Sequence, residues 1–258
     1  PDIDDTERMK YSPLTYFKQF FESYYFTNIL WNTISLSVFT MLIGFPVPIL
    51  LALLINEIKN VKFKKLIQNI TYIPNFLSVV VIVSMLTLFS NSDYGLFNKI
   101  TGLFGIAPVD FMSKPALFQP LYVFSNVWQF MGFNAIIYIA ALSSVDQELY
   151  EAASIDGATR LQKIIHISIP CIMSTIIVLF IMRIGSLMSV GFEKVYLMQN
   201  NLNIGKSEVI STYVYKMGLQ QMRYSYSTAI GLFNNVINFT LLVTVNKISK
   251  KLSGTGLW

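Results

Sequence analysis

The sequence predicts an all-α integral membrane protein, a helical bundle with five visible transmembrane helices. Three observations carry this. Only 13% of the 258 residues are charged while 53% are hydrophobic, against about 25% charged in soluble globular domains, and mean hydropathy is +0.53. Five stretches approach the roughly 20 apolar residues that cross a bilayer as a helix. None of them alternates with period two along its length, which argues against a β-barrel.

The elements follow in chain order. Residues 1–27 are polar, acid-rich at Asp2, Asp4, Asp5 and Glu7, and show no signal-peptide pattern. They also carry Tyr16, Phe17, Phe20, Phe21, Tyr24 and Tyr25, which suit either a membrane interface or packing on the bundle. The apolar stretches are 33–54, 67–89, 120–142, 172–190 and 229–245, within a transmembrane region over 28–247. Pro46 and Pro48 interrupt the first and Pro74 the second. Membrane helices accept such breakers where neighbours re-satisfy the freed backbone groups.

Charge sets the orientation. Between the first two spans lie Lys59, Lys62, Lys64 and Lys65 against Glu57 alone, and after the fifth come Lys247, Lys250 and Lys251. By the positive-inside rule both regions are cytoplasmic, and alternating spans put them on one side. The segment 1–27 is then extracytoplasmic or interfacial, 143–170 a cytoplasmic loop, and 248–258 a cytoplasmic tail. The chain begins at Pro1 rather than Met. An outside N-terminus with no signal peptide predicts a further span upstream, six in the native chain. Net charge of +5 belongs to these short loops rather than to a face for nucleic acid. The single cysteine, Cys171, excludes an internal disulfide and reads as a small hydrophobe.

The loop between the third and fourth spans reads Glu151-Ala152-Ala153-Ser154-Ile155-Asp156-Gly157, and after nine residues Ile167-Ser168-Ile169-Pro170. Ala152 and Ala153 favour helix with little bulk, Gly157 permits a sharp turn, Ala158–His166 suits a second short helix, and Pro170 suits entry to the next span. This loop resembles the EAA loop of binding-protein-dependent ABC importer permeases, departing only at Ile169, where leucine is usual. Tyr72-Ile73-Pro74-Asn75-Phe76, Trp128, Tyr138-Ile139-Ala140-Ala141-Leu142 and Gly191 through Leu197 resemble the sugar-permease branch, and Lys250-Lys251-Leu252 through Gly256-Leu257-Trp258 is similar to the LplB-like group. The resemblance implies a cytoplasmic EAA coupling helix, with Glu151, Ala152, Ala153, Asp156, Gly157, Ile167 and Pro170 coupling to an ATP-binding subunit. It further implies a second permease subunit, two ATP-binding cassette subunits holding ATP and Mg, an extracytoplasmic solute-binding protein, and a saccharide as cargo. The expected location is a bacterial inner membrane.

A saccharide path needs amides and rings. The third span supplies Asn126, Trp128, Gln129, Phe130, Phe133, Asn134 and Tyr138, and Asn126, Phe130, Phe133 and Asn134 share a helical face. The resemblance places substrate contacts on this span, so Asn126, Gln129, Phe130 and Phe133 are candidate substrate-pathway residues; contact with neighbouring helices is the other reading. Arg183 lies inside the fourth span, where a charge faces a cavity, a partner or backbone carbonyls rather than lipid, and joins the candidates. Glu193 suits a local or intersubunit pair. Asn234 and Asn238 share a face of the fifth span, with Asn235 beside them, and suit interhelical contact or a polar path. His166 reads as a polar surface side chain. No metal or catalytic set is present: there is no H-E-x-x-H, no paired intramembrane carboxylate and no phosphate-cradling G-x-x-x-x-G-K-[ST] loop. A membrane-embedded enzyme, and a secondary transporter with internal repeats or coupling acids, are the alternatives these absences weigh against.

Overall fold

The computed structural model describes residues 14–258, and every regular element among them is helical. The acidic residues Asp2, Asp4, Asp5 and Glu7 lie outside the described residues. Helix α1 (Thr15–Phe21) precedes α2 (Phe26–Gly44) and α3 (Pro46–Asn56). Pro46 lacks an N–H and sits at the first position of α3, where that loss costs least, so the two run on as a 31-residue rod, Phe26–Asn56. Then come α4 (Val61–Tyr72), a 3-10 turn (Ile73–Phe76), α5 (Val79–Ser90) and α6 (Leu96–Gly102). Helix α7 spans Pro115–Ser143, α8 Gln147–Ile155 and α9 Arg160–Lys163. A π turn (Ile164–Ser168) leads to α10 (Ile169–Cys171) and α11 (Met173–Gly185). Helices α12 (Phe192–Met198), α13 (Ile204–Ser207) and α14 (Ile210–Tyr215) precede a second π turn (Lys216–Gln220) and α15 (Tyr224–Ser253).

Three helices are long and apolar enough to cross a membrane, and five spans result when each of two bent pairs is taken as one. The apolar stretch 67–89 is therefore not one straight helix. It bends by 98° between Phe76 and Val79. Pro74 cannot donate, Leu77 turns extended (φ −76, ψ 136), and the Ser78 hydroxyl accepts from Val81 N at 3.3 Å to start α5. Twelve residues of α5 reach only about 18 Å at 1.5 Å per residue. The stretch 172–190 likewise ends as helix at Gly185, and a 63° bend separates α11 from the segment Arg160–Cys171. Ile172 sits at that bend with φ −96 and ψ 6.

The described residues fall into two compact units. One comprises the chain up to Ser37 together with Val83–Pro120 and Leu187–Thr240. Its core is aromatic: the buried Phe20 ring meets Phe26 edge-on at 5.0 Å and Phe233 at 5.7 Å. Of the N-terminal aromatics, Phe20 packs inside this unit while Tyr24 and Tyr25 stand exposed. Polar side chains of α2 fasten the segment before α14. Asn32 Nδ2 donates to the carbonyls of Gly205 and Glu208 at 3.1 Å each, and Ile210 N donates to Thr33 Oγ1 at 2.9 Å. Glu208 pairs with Lys216 at 2.6 Å. On α15, Asn238 Oδ1 accepts from Met188 N at 2.9 Å and Nδ2 donates to Ser189 Oγ at 3.0 Å.

The other unit comprises Val38–Ile82, Leu121–Ser186 and Leu241–Trp258. Ala52, Leu53, Ala135, Tyr138, Leu142, Val145 and Ile172 form its core. Gly132 lies so close to Thr71 that an added Cβ would overlap the Thr71 carbonyl, so this glycine sets how nearly α7 approaches α4. Gln129 Nε2 donates to Leu77 O at 3.4 Å, supplying a partner for a carbonyl exposed by the bend. At the far end α15 runs on to Ser253, so residues 248–253 are helical, and the chain folds back: Leu257 N donates to Asn246 Oδ1 at 2.7 Å.

Candidate functional site

Two features of the second unit bear on function, and each is built by local chemistry. The first is a cavity of about 160 Å³. Its walls are Thr40, Gly44, Phe45 and Pro48 on the first span, Asn126, Phe130, Met131, Asn134 and Tyr138 among others on α7, and Leu179 and Arg183 on α11. Phe45, at the junction of α2 and α3, leans on Phe180 with ring centroids 5.2 Å apart. Amides, a phenol, rings and, from the last turn of α11, a guanidinium thus converge.

The candidates Asn126, Phe130 and Arg183 share this cavity, with Asn134 and Tyr138. Gln129 and Phe133 do not line it. At about 100° per residue, the α7 lining residues cover an arc of roughly 140° beginning at Asn126, with Phe133 roughly 20° and Gln129 roughly 60° beyond its edge. Gln129 is instead buried against the bend of the second span, and Phe133 is 47% exposed. Sequence reasoning missed Thr40, Phe45 and Leu179, which lie within apolar stretches; the proline pair beside Phe45 was the one available signal.

The second feature is the loop between the third and fourth spans. The Asp146 side chain accepts from Glu148 N and caps α8. At its other end Ala158 N donates to Ala153 O at 2.9 Å and Gly157 N to Ser154 O at 3.2 Å, the paired bonds of a Schellman stop. Gly157 has φ +78, and a Cβ added there would meet nothing, so backbone conformation rather than space demands glycine there. Thr159 then caps α9, with Gln162 returning the bond. Lys163 Nζ donates to Ser154 Oγ at 2.6 Å, and the Tyr150 and Ser168 hydroxyls meet at 2.9 Å, tying the two arms together. Glu151, Ala152 and Asp156 are exposed, Ala153 and Ile167 half-buried, and Pro170 is exposed in the short α10 beside the bend. The resulting helix–turn–helix presents apolar side chains outward: Ile155 is 87% and Leu161 65% exposed. His166 is exposed, with Nδ1 3.0 Å from the Gln162 carbonyl.

Elsewhere, Glu193 is exposed and makes no ion pair among the described residues. Its neighbour Lys194 is buried, and desolvation lowers its pKa to about 8. No group of His, Cys, Asp and Glu suited to a metal occurs among the described residues.

Residues 44–254 match the family model described as the binding-protein-dependent transport system inner membrane component. The chain belongs to that family. It is a membrane-spanning permease component of the ABC importer type. It is 44% identical over 243 residues to Protein LplB of Bacillus subtilis, covering 94% of this chain and 76% of that one. It is 42% identical over 245 residues to the B. subtilis polygalacturonan/rhamnogalacturonan transport system permease protein YteP, covering 95% and 76%. A chain in the crystal structure of a bacterial ABC transporter involved in import of the acidic polysaccharide alginate superposes with a TM-score of 0.89 at 39% identity, over 92% of this chain and 83% of that one. A chain of the alginate transporter in complex with an alginate pentasaccharide-bound periplasmic protein also gives 0.89, at 38% identity over 99% and 91%.

Proposed function

We propose that this permease carries a saccharide fragment across the membrane by alternating access, driven by ATP hydrolysed in two partner subunits. The exposed apolar tip of the helix–turn–helix supports this most directly. Ile155 and Leu161 are the most exposed of four large apolar side chains on this loop, with Leu149 and Ile165, and such an apolar patch suits a surface covered by another protein. Glu151 and Asp156 flank that tip, while Ala152 and Ala153 keep it narrow enough to enter a groove. The Schellman turn at Gly157 and the bonds from Lys163 and Tyr150 make the knob stiff, so that movement of its partner is passed on to α7 and α11, the helices it joins.

The cavity is the proposed cargo path. Its about 160 Å³ falls below the roughly 300–1,000 Å³ of pockets that enclose whole ligands, so an oligosaccharide needs a second wall. A second permease subunit supplies that wall, and an extracytoplasmic solute-binding protein delivers the cargo. Asn126 and Asn134 offer amides to sugar hydroxyls, and Phe130 offers a ring face. Closure of the ATP-binding pair favours one arrangement of the knobs over another, and this difference in interaction energy shifts the opening from one side to the other.

Ile155→Asp tests the docking surface. It places a charge on the tip without touching a core residue, so the chain stays in the membrane while recovery of the ATP-binding subunit with the tagged permease falls at least about tenfold, equivalent to about 1.4 kcal/mol. Unchanged recovery contradicts the proposed docking surface.

A further inference from the structure

Arg183 lies in the last turn of α11 and is the one charged side chain on that helix; none occurs in Phe26–Asn56, in Val79–Ser90 or in Pro115–Ser143, and in Tyr224–Ser253 none precedes Lys247. Ion pairs among the described residues are Lys18–Glu22 and Lys216–Glu208, so no carboxylate among them answers Arg183. Arg183 is exposed and lines the cavity with Asn126, Asn134, Tyr138 and Phe130. The cavity wall includes no Asp or Glu. The planar fork of guanidinium donors matches a carboxylate bidentately. The surrounding amides and phenol add neutral hydrogen-bonding groups and no competing negative charge.

We propose that Arg183 selects acidic saccharides: it pairs with the carboxylate of a uronic-acid residue as the chain of sugars passes through the cavity. This rests on the reading of the cavity as the saccharide path. A phosphate ester brings about −1.5 to −2 charge at neutral pH, more than one cation balances, whereas a uronate brings a single charge. The pairing replaces a water-solvated carboxylate with a charge-assisted contact, so a neutral sugar of the same size leaves Arg183 unmatched and passes poorly.

The test uses the assembled importer in lipid nanodiscs, with its solute-binding protein loaded with short oligomers of galacturonate, glucuronate or mannuronate. The methyl esters of these oligomers and neutral maltooligosaccharides serve as comparison. Capture by the binding protein is measured separately by calorimetry, and ATP hydrolysis is compared at saturation. The expected result is stimulation by a uronate oligomer that falls about tenfold or more for its methyl ester. Arg183→Gln loses the uronate response by a similar factor while assembling normally on size exclusion, and Arg183→Lys keeps more of it. Equal stimulation by neutral and acidic sugars, capture of neutral sugars alone, or an equal loss of both responses in Arg183→Gln overturns the inference and leaves the saccharide reading standing. No stimulation by any saccharide sinks the saccharide reading itself, and the inference with it.

Discussion

Gly157 shows how one residue governs the knob. Its φ of +78 is open to glycine, tolerable for asparagine and costly by about 1–2 kcal/mol for other L-residues. An added Cβ there would meet nothing, so substitution strains the turn without a clash. Gly157→Ala is expected to weaken coupling, lowering saccharide transported per ATP hydrolysed, and Gly157→Asn to retain more of it. Equal ratios in wild type and both variants, measured in proteoliposomes, would argue that the turn has no part in coupling. At this scale much was legible in the sequence. Polar side chains in apolar runs are few, so Asn126 and Arg183 stood out, and the spacing Glu151 to Pro170 was readable residue by residue. What escaped was helical phase. Phe133 sits roughly one-eighteenth of a turn beyond the cavity's edge, a margin that periodicity does not resolve, and Gln129 answers a bend whose one sign in the sequence was Pro74.

Between elements the governing feature is the bent second span. Hydropathy registers that 67–89 is apolar and is blind to its direction, so a 98° bend passes as a straight span. Pro74 was the trace of it. The bend is held from α7 by two neighbours one turn apart, Gln129 on the Leu77 carbonyl and Gly132 against Thr71. Since any Cβ at Gly132 overlaps backbone, Gly132→Ala must push α4 and α7 apart. Such overpacking costs about 1–3 kcal/mol, and the purified variant should unfold at a lower temperature in nanodiscs, with Gly102→Ala, where a Cβ meets nothing, as the comparison. A melting temperature equal to that of wild type would show that the close approach is not maintained in the membrane. The π turn after α9 was equally hidden, because Ile164–Ser168 has an ordinary helical composition and the extra residue per turn leaves no compositional mark.

For the whole molecule, membrane residence and helical architecture were written in bulk composition, which is why they could be read before any motif. The division into two compact units was not, since its boundaries cut α2, α5, α7 and α15 internally and no linker signals them. The central proposal is that this chain is one part of an importer whose energy comes from elsewhere, with the cavity completed by a second permease and the exposed apolar knob covered by an ATP-binding subunit. The most direct measurement is purification of the tagged full-length protein in mild detergent, with copurifying chains identified by mass spectrometry. The account predicts a second membrane-spanning permease and an ATP-binding subunit in stable association. Recovery of this chain alone, monodisperse and folded, would contradict it.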